Sequence, residues 1–238
     1  MKWLTQTTWC EAIGAGAIVL GALCFGILFS AIVNAAEQDT PAAAVVAVTD
    51  SDGNRKCSAV VVAPETAYTA RHCATIGMKI ETPNEAYDVP TAMVYVSGID
   101  AAVLHVPGLP CPCATPSAVV PSINDEVTVV GFSEGGSKTV KTARVLLVGD
   151  VNDLPEYKIK RNYEIRYTLI AYAPAVLKGG DSGGGTFVFR DGAWALVGIN
   201  TYGIPDPKTF NPVASMFGVE QDEIGSASVP VARHMELK

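Results

Sequence analysis

Ala44-Val45-Val46-Ala47-Val48 and Ser58-Ala59-Val60-Val61-Val62 stand on either side of Asp50-Ser51-Asp52-Gly53-Asn54. Two short β-branched runs separated by a cluster of turn residues containing Asp-Gly form the pattern of a β-hairpin. The same signature recurs along the chain at Tyr68–Ala70, Ala92–Val96, Ala101–Val106, Val127–Val130, Val140–Val148, Tyr163–Ile170, Thr186–Phe189, Ala193–Ile199 and Val213–Phe217. Only Val231–Lys238 reads as a short helix. Many short strands with almost no helix predict an all-β sandwich or barrel. Pro107 to Pro116 carries four prolines, which cannot donate to a sheet ladder, and so reads as a connector between two halves. Asp150–Lys160 reads as an exposed, charged loop.

The chain has 238 residues, 49% of them hydrophobic and 17% charged, with a formal charge of −7. So apolar a composition excludes disorder. The negative balance and the absence of any Lys/Arg-rich run argue against nucleic acid as a partner. Ile13–Val33 is 21 residues without a charge, about the length that crosses a bilayer core. Val33-Asn34-Ala35 before Ala36 also offers the small residues that a signal peptidase cuts after. Residues 1–35 are therefore expected to be an uncleaved anchor or a cleaved signal, with membrane contact through 13–33 in the first case. Both predict that residues 36–238 work outside the cytoplasm. Cys57, Cys73, Cys111 and Cys113 lie in that portion, where disulfides are plausible.

Three stretches can carry chemistry. Thr69-Ala70-Arg71-His72-Cys73 places a histidine beside a cysteine whose nearest upstream cysteine is Cys57, sixteen positions earlier. A Cys57–Cys73 bridge would fix the loop holding His72. Lys178-Gly179-Gly180-Asp181-Ser182-Gly183-Gly184-Gly185 presents a serine among glycines. Such a backbone turns sharply and can aim N–H groups at a developing oxyanion. A phosphate cradle fits poorly, since no Gly-Lys-Ser/Thr and no strand–helix unit accompanies it. Ile99-Asp100-Ala101 sets a carboxylate at the start of an apolar strand, where it could orient a histidine. Asp88 is the weaker candidate because Pro90 interrupts the strand that would hold it. His105 and His234 read as structural or surface residues. No metal-ligand spacing stands out and no cofactor is called for.

Thr69–Cys73, the Asp100 strand start and Gly180-Asp181-Ser182-Gly183-Gly184, in that order, resemble the chymotrypsin/trypsin-like serine proteases. The cysteine spacing and Val197-Gly198-Ile199-Asn200-Thr201-Tyr202-Gly203 extend the likeness from about Ala43 to the end. The resemblance implies two packed six-stranded antiparallel barrels, over about 43–106 and 122–230, and a polypeptide substrate. It implies that Ser182 is the nucleophile, His72 the base and Asp100 its orienter. Gly180 and Ser182 would supply the oxyanion N–H groups, and Thr201, Tyr202 and Gly203 would pair with the substrate. Val176 stands six positions before Ser182, where trypsin-like members carry an aspartate, so a small or apolar preference replaces selection of Lys or Arg. No Ile-Val-Gly-Gly start is visible, which leaves Asp181 without the amino-terminal partner used in family zymogens.

Two other readings compete. Gly180–Gly184 also fits Gly-x-Ser-x-Gly, and Ser182, Asp222, His234 supply the α/β-hydrolase order, but that fold needs alternating strands and helices. A protease-like binding protein that has lost activity would normally lack one of the three residues present here.

Overall fold

The computed structural model describes residues 40–90, 93–95, 100–150, 168–173, 176–203 and 226–235. Pro41–Lys238 makes up one unit and Met1–Thr40 another. Ile13–Val33 and Val213–Phe217 lie outside the described residues. Among the described residues no helix is long and apolar enough to cross a membrane.

The quoted hairpin forms as read. β1 (Val45–Thr49) pairs antiparallel with β2 (Arg55–Ala63), with Val45 opposite Val60 and Val48 opposite Cys57. The turn is tied by Asp50, whose Oδ1 accepts from the Asp52 and Asn54 N–H groups at 3.0 and 2.9 Å. These bonds favour the ionised form and hold the Asp50 carboxyl below its ordinary range, the Asn54 backbone contributing most.

β3 (Thr66–Thr69), β4 (Lys79–Glu81), β5 (Ala86–Asp88), β6 (Met93–Tyr95) and β7 (Ala102–His105) complete the first half. They form a seven-stranded sheet ordered β5-β4-β1-β2-β3-β7-β6. This corrects the expected six-stranded barrel. β4 and β5 have three residues each, too few for alternation to register in the sequence, yet their hairpin extends the sheet beyond β1.

The second half closes. β8 (Glu126–Gly131), β9 (Thr139–Asp150), β10 (Thr168–Ala173), β11 (Gly185–Arg190), β12 (Ala193–Gly203) and β13 (Ser226–Pro230) form a barrel ordered β10-β13-β12-β11-β8-β9. Asp150, expected in a loop, ends β9. β13 has the sequence Ser-Ala-Ser-Val-Pro, poor in β-branched residues, and its burial on both sides makes it a strand all the same. The C-terminal helix expected over Val231–Lys238 is corrected to a four-residue turn, α1 (Ala232–Met235).

β1 and β2 explain why their sequences run apolar without alternation. Val46, Val48, Cys57, Ala59 and Val61 fill one core, while Val45, Ala47 and Val60 face a second. That second core also holds Val130, Phe132, Phe187, Leu196 and Ile199, so it welds the sheet to the barrel. Each fully buried Val or Ile contributes about 1.5–3 kcal/mol relative to exposure. The proline-rich connector bridges the halves as expected: Ala114 N–H donates to Val61 O and Ser117 N–H to Leu196 O, both at 2.9 Å. Within it Cys111 and Cys113 pair with each other, their Cα atoms 4.7 Å apart.

His234 on α1 is wholly buried beside the Tyr68 ring, its Nε2 3.1 Å from Thr69 O. Burial lowers its pKa from 6.5 to about 4, against the opposing pull of the Thr69 carbonyl and Asp100. The unfolded chain therefore binds a proton that the folded chain refuses as pH falls through the interval from 6.5 to about 4. Stability should decline across that window by about 3 kcal/mol from this group. Urea unfolding at pH 7.5 and 4.5 is expected to show that acid loss in the wild type, and a loss smaller by that amount in His234→Leu.

Candidate active site

Strand pairing brings two of the candidate residues, His72 and Asp100, together. Thr69 at the end of β3 pairs with Ala102 at the start of β7. His72 follows that end by three residues and Asp100 precedes that start by two, so both emerge from the same end of the pair. A 3-10 turn at Arg71–Cys73 holds His72, and Cys73 is bonded to Cys57 of β2, their Cα atoms 5.9 Å apart.

His72 Nδ1 lies 2.8 Å from Asp100 Oδ2, and the His72 backbone N–H donates to Oδ1 at 3.0 Å. The carboxylate thus grips both the ring and the main chain of one residue. The His72 side chain is 48% exposed and that of Asp100 14%, so the ring opens to solvent while its partner is sheltered. Asp88, the weaker candidate, is at the exposed end of β5 and pairs with Lys79 Nζ at 3.2 Å.

The Ser182 loop is held against the His72 turn. Ser182 O accepts from the Ser58 N–H at 2.7 Å and lies 3.6 Å from Cys73 Sγ, in the residue after His72. Ser58, buried on β2, does more: its hydroxyl donates to Gly180 O at 2.8 Å and accepts from the Phe132 N–H at 3.0 Å. Gly180 has φ +91, and a side-chain carbon there would overlap the Phe132 carbonyl oxygen, so only glycine fits. Among the described residues the N–H groups of Gly180 and Ser182 donate to no backbone carbonyl.

Asn200, buried on β12, braces the loop from below. Its N–H donates to Gly184 O at 2.8 Å and its carbonyl accepts from the Gly183 N–H at 2.7 Å. Its side chain donates to Val130 O and accepts from the Thr186 hydroxyl, at 3.0 and 2.8 Å.

Thr201 is buried, with its hydroxyl on Ile199 O at 2.9 Å. Tyr202 and Gly203 pair with Ala227 and Ser226 of β13. On the other side, β11 pairs β12 only as far as Ile199, so among the described residues Thr201–Gly203 keeps one open backbone edge. Val176 packs partly buried against the barrel core, and its carbonyl accepts from Lys141 Nζ at 2.6 Å. Asp222, the acid of the α/β-hydrolase reading, lies outside the described residues, while His234 is spent on Thr69. The all-β architecture disposes of that reading.

The Trypsin family model matches residues 32–217. The chain belongs to the trypsin family. As a trypsin-family member it is a serine-type endopeptidase, a hydrolase whose substrates are polypeptides. The search of curated proteins finds no match. Among solved structures, the fold is similar to the active form of the Rv3671c protease from M. tuberculosis. That likeness has TM-score 0.60 and 18% identity, over 83% of this chain and 80% of that one. It is also similar to the HtrA-type protease AlgW with tripeptide (TM-score 0.60, 20% identity, 82% of this chain and 58% of that one). The serine endoprotease from Yersinia pestis follows at TM-score 0.58 and 20% identity, over 82% of this chain and 61% of that one.

Ser58, Ser133, Lys141 and Asn200 escaped the sequence reading. Asn200 alone leaves a trace there, as an amide directly after the apolar run Val197–Ile199.

Proposed function

We propose that this trypsin-family chain cleaves peptide bonds through an acyl-enzyme on Ser182, with His72 as base and Asp100 as its orienter, outside the cytoplasm. The observation that carries the reading is the His72–Asp100 pair beside a glycine loop whose serine is tied to the His72 turn. His72 Nδ1–H donates to Asp100, which leaves Nε2 as the acceptor for the Ser182 proton. Ser182 Oγ attacks the scissile carbonyl, and the oxyanion takes the N–H groups of Gly180 and Ser182. Collapse passes the proton from His72 to the leaving amine. Water then enters, loses a proton to His72 and releases the acid, with Ser182 restored.

The open edge of Thr201–Gly203 suits an extended peptide added as a strand. Val176 brings no carboxylate, which favours small or apolar side chains over Lys and Arg at the cleaved bond. Export is favoured by the apolar segment 13–33 and by the Cys57–Cys73 bridge, a bond of oxidising compartments.

A serine-phosphonylating reagent tests the reading. One equivalent is expected to add to folded protein, and peptide mapping should place it on Ser182. Failure to label folded, disulfide-bonded protein, or labelling at another residue, would overturn it.

A further inference from the structure

Asp181 stands between the two proposed oxyanion donors, Gly180 and Ser182, yet its carboxylate is buried, 1% exposed. A buried carboxylate needs both a counter-charge and hydrogen bonds. Lys141 of β9 supplies the charge, its Nζ 2.8 Å from Asp181 Oδ2. The ammonium spends its other two donors on Ser133 Oγ and on Val176 O. Ser133 in turn donates to the carboxylate, 2.7 Å from Oδ2 and 2.9 Å from Oδ1, and the Lys178 N–H donates to Oδ2 at 2.9 Å. Room for the carboxylate comes from Gly131 of β8, where a side-chain carbon would crowd Oδ1. All three protons of the lysine are used.

The cluster anchors the loop from both ends. Val176 and Lys178 begin the segment that leads to the serine, and Asp181 is its neighbour. Lys141 is fixed by strand pairing, opposite Val129. Among the described residues the carboxylate takes its counter-charge from Lys141 alone, with hydrogen bonds from Ser133 and the Lys178 N–H.

We infer that Lys141 is a positioning residue: its ammonium is the built-in counter-ion of Asp181 and holds the Gly180–Ser182 backbone in its oxyanion-binding form without cleavage of the chain. The inference rests on Ser182 being the nucleophile. It adds the regulatory consequence that the site is competent in the uncut polypeptide, with the amino-terminal segment still attached.

The test uses the full chain, made without signal peptidase, and four forms: wild type, Lys141→Met, Lys141→Arg and the double variant Lys141→Met/Asp181→Asn. Intact wild-type chain should take up the phosphonylating reagent, with the mass of the whole polypeptide plus one adduct. Lys141→Met is expected to lower kcat at least 100-fold on a peptide substrate, with KM changed less than about threefold, because donors to the transition state are displaced. Lys141→Arg should recover at least tenfold of that loss. The double variant, which leaves no unpaired charge, should also exceed Lys141→Met by tenfold and stands in for it if that protein does not fold.

Two results would overturn the inference while Ser182 remains labelled in wild type. One is a Lys141→Met or double variant with wild-type kcat. The other is labelling confined to chains that have lost amino-terminal residues. An unlabelled wild type in both cut and uncut form instead removes the Ser182 reading itself.

Discussion

Ser182→Ala is expected to lower kcat/KM for a peptide substrate by about 10⁶-fold and to abolish phosphonylation, while the fold survives. The loss is large because the proposed hydroxyl forms the covalent intermediate, and no neighbouring group replaces it: within the loop the nearest side chain, Asp181, is buried and engaged by Lys141 and Ser133. The hydrolysis that remains should still exceed the uncatalysed rate by about 10³–10⁴, since the Gly180 N–H and the alanine N–H can still receive an oxyanion. Thermal unfolding should move by only a few degrees, because the loop is held through backbone groups that alanine keeps, Ser182 O to Ser58 and the Gly183–Asn200 pair. Steady-state kinetics on purified variant, with wild type excluded by mass, checks the result. A drop of less than about 100-fold would mean that another residue attacks.

The extent to which these features can be read from the chain differs from element to element. The Asp50–Asn54 hairpin was legible because turn chemistry and β-branched flanks agree locally. The His72 and Ser182 motifs are legible through their order along the chain and the Cys57–Cys73 spacing, since each taken alone is an ordinary loop sequence. β4 and β5 were not, since three-residue strands carry no period. β13 was not, since Ser226 and Ser228 become buried only when β10 and β12 close around them. Lys141 falls within the Val140–Val148 run and nothing beside it in sequence marks its partner. Its meaning depends on Val129, Ser133 and Val176, which register and barrel closure bring to it from three directions. Ser58 was read as part of a strand, and its hydroxyl matters only because the glycine loop of the other half arrives against it. Partners chosen across the two halves leave no local mark.

The second large effect belongs to Asp100. Asp100→Asn is expected to cut kcat/KM about 10⁴-fold at neutral pH with little change in KM. The carboxylate accepts twice from His72, from the backbone N–H at Oδ1 and from Nδ1–H at Oδ2. The asparagine oxygen can keep the backbone bond only by turning its NH₂ toward Nδ1. The ring then accepts at Nδ1 and carries its proton on Nε2, the wrong tautomer for taking the serine proton. Asp100→Ala removes that bias and is expected to be the more active of the two, because a fraction of rings then keep Nε2 free. This order separates tautomer control from simple loss of charge, which both variants share. Measuring kcat/KM for the pair, together with thermal midpoints to confirm folding, decides between them. Equal loss in both variants would leave the field of the carboxylate as the whole effect, and activity within tenfold of wild type in Asp100→Asn would remove Asp100 from the mechanism.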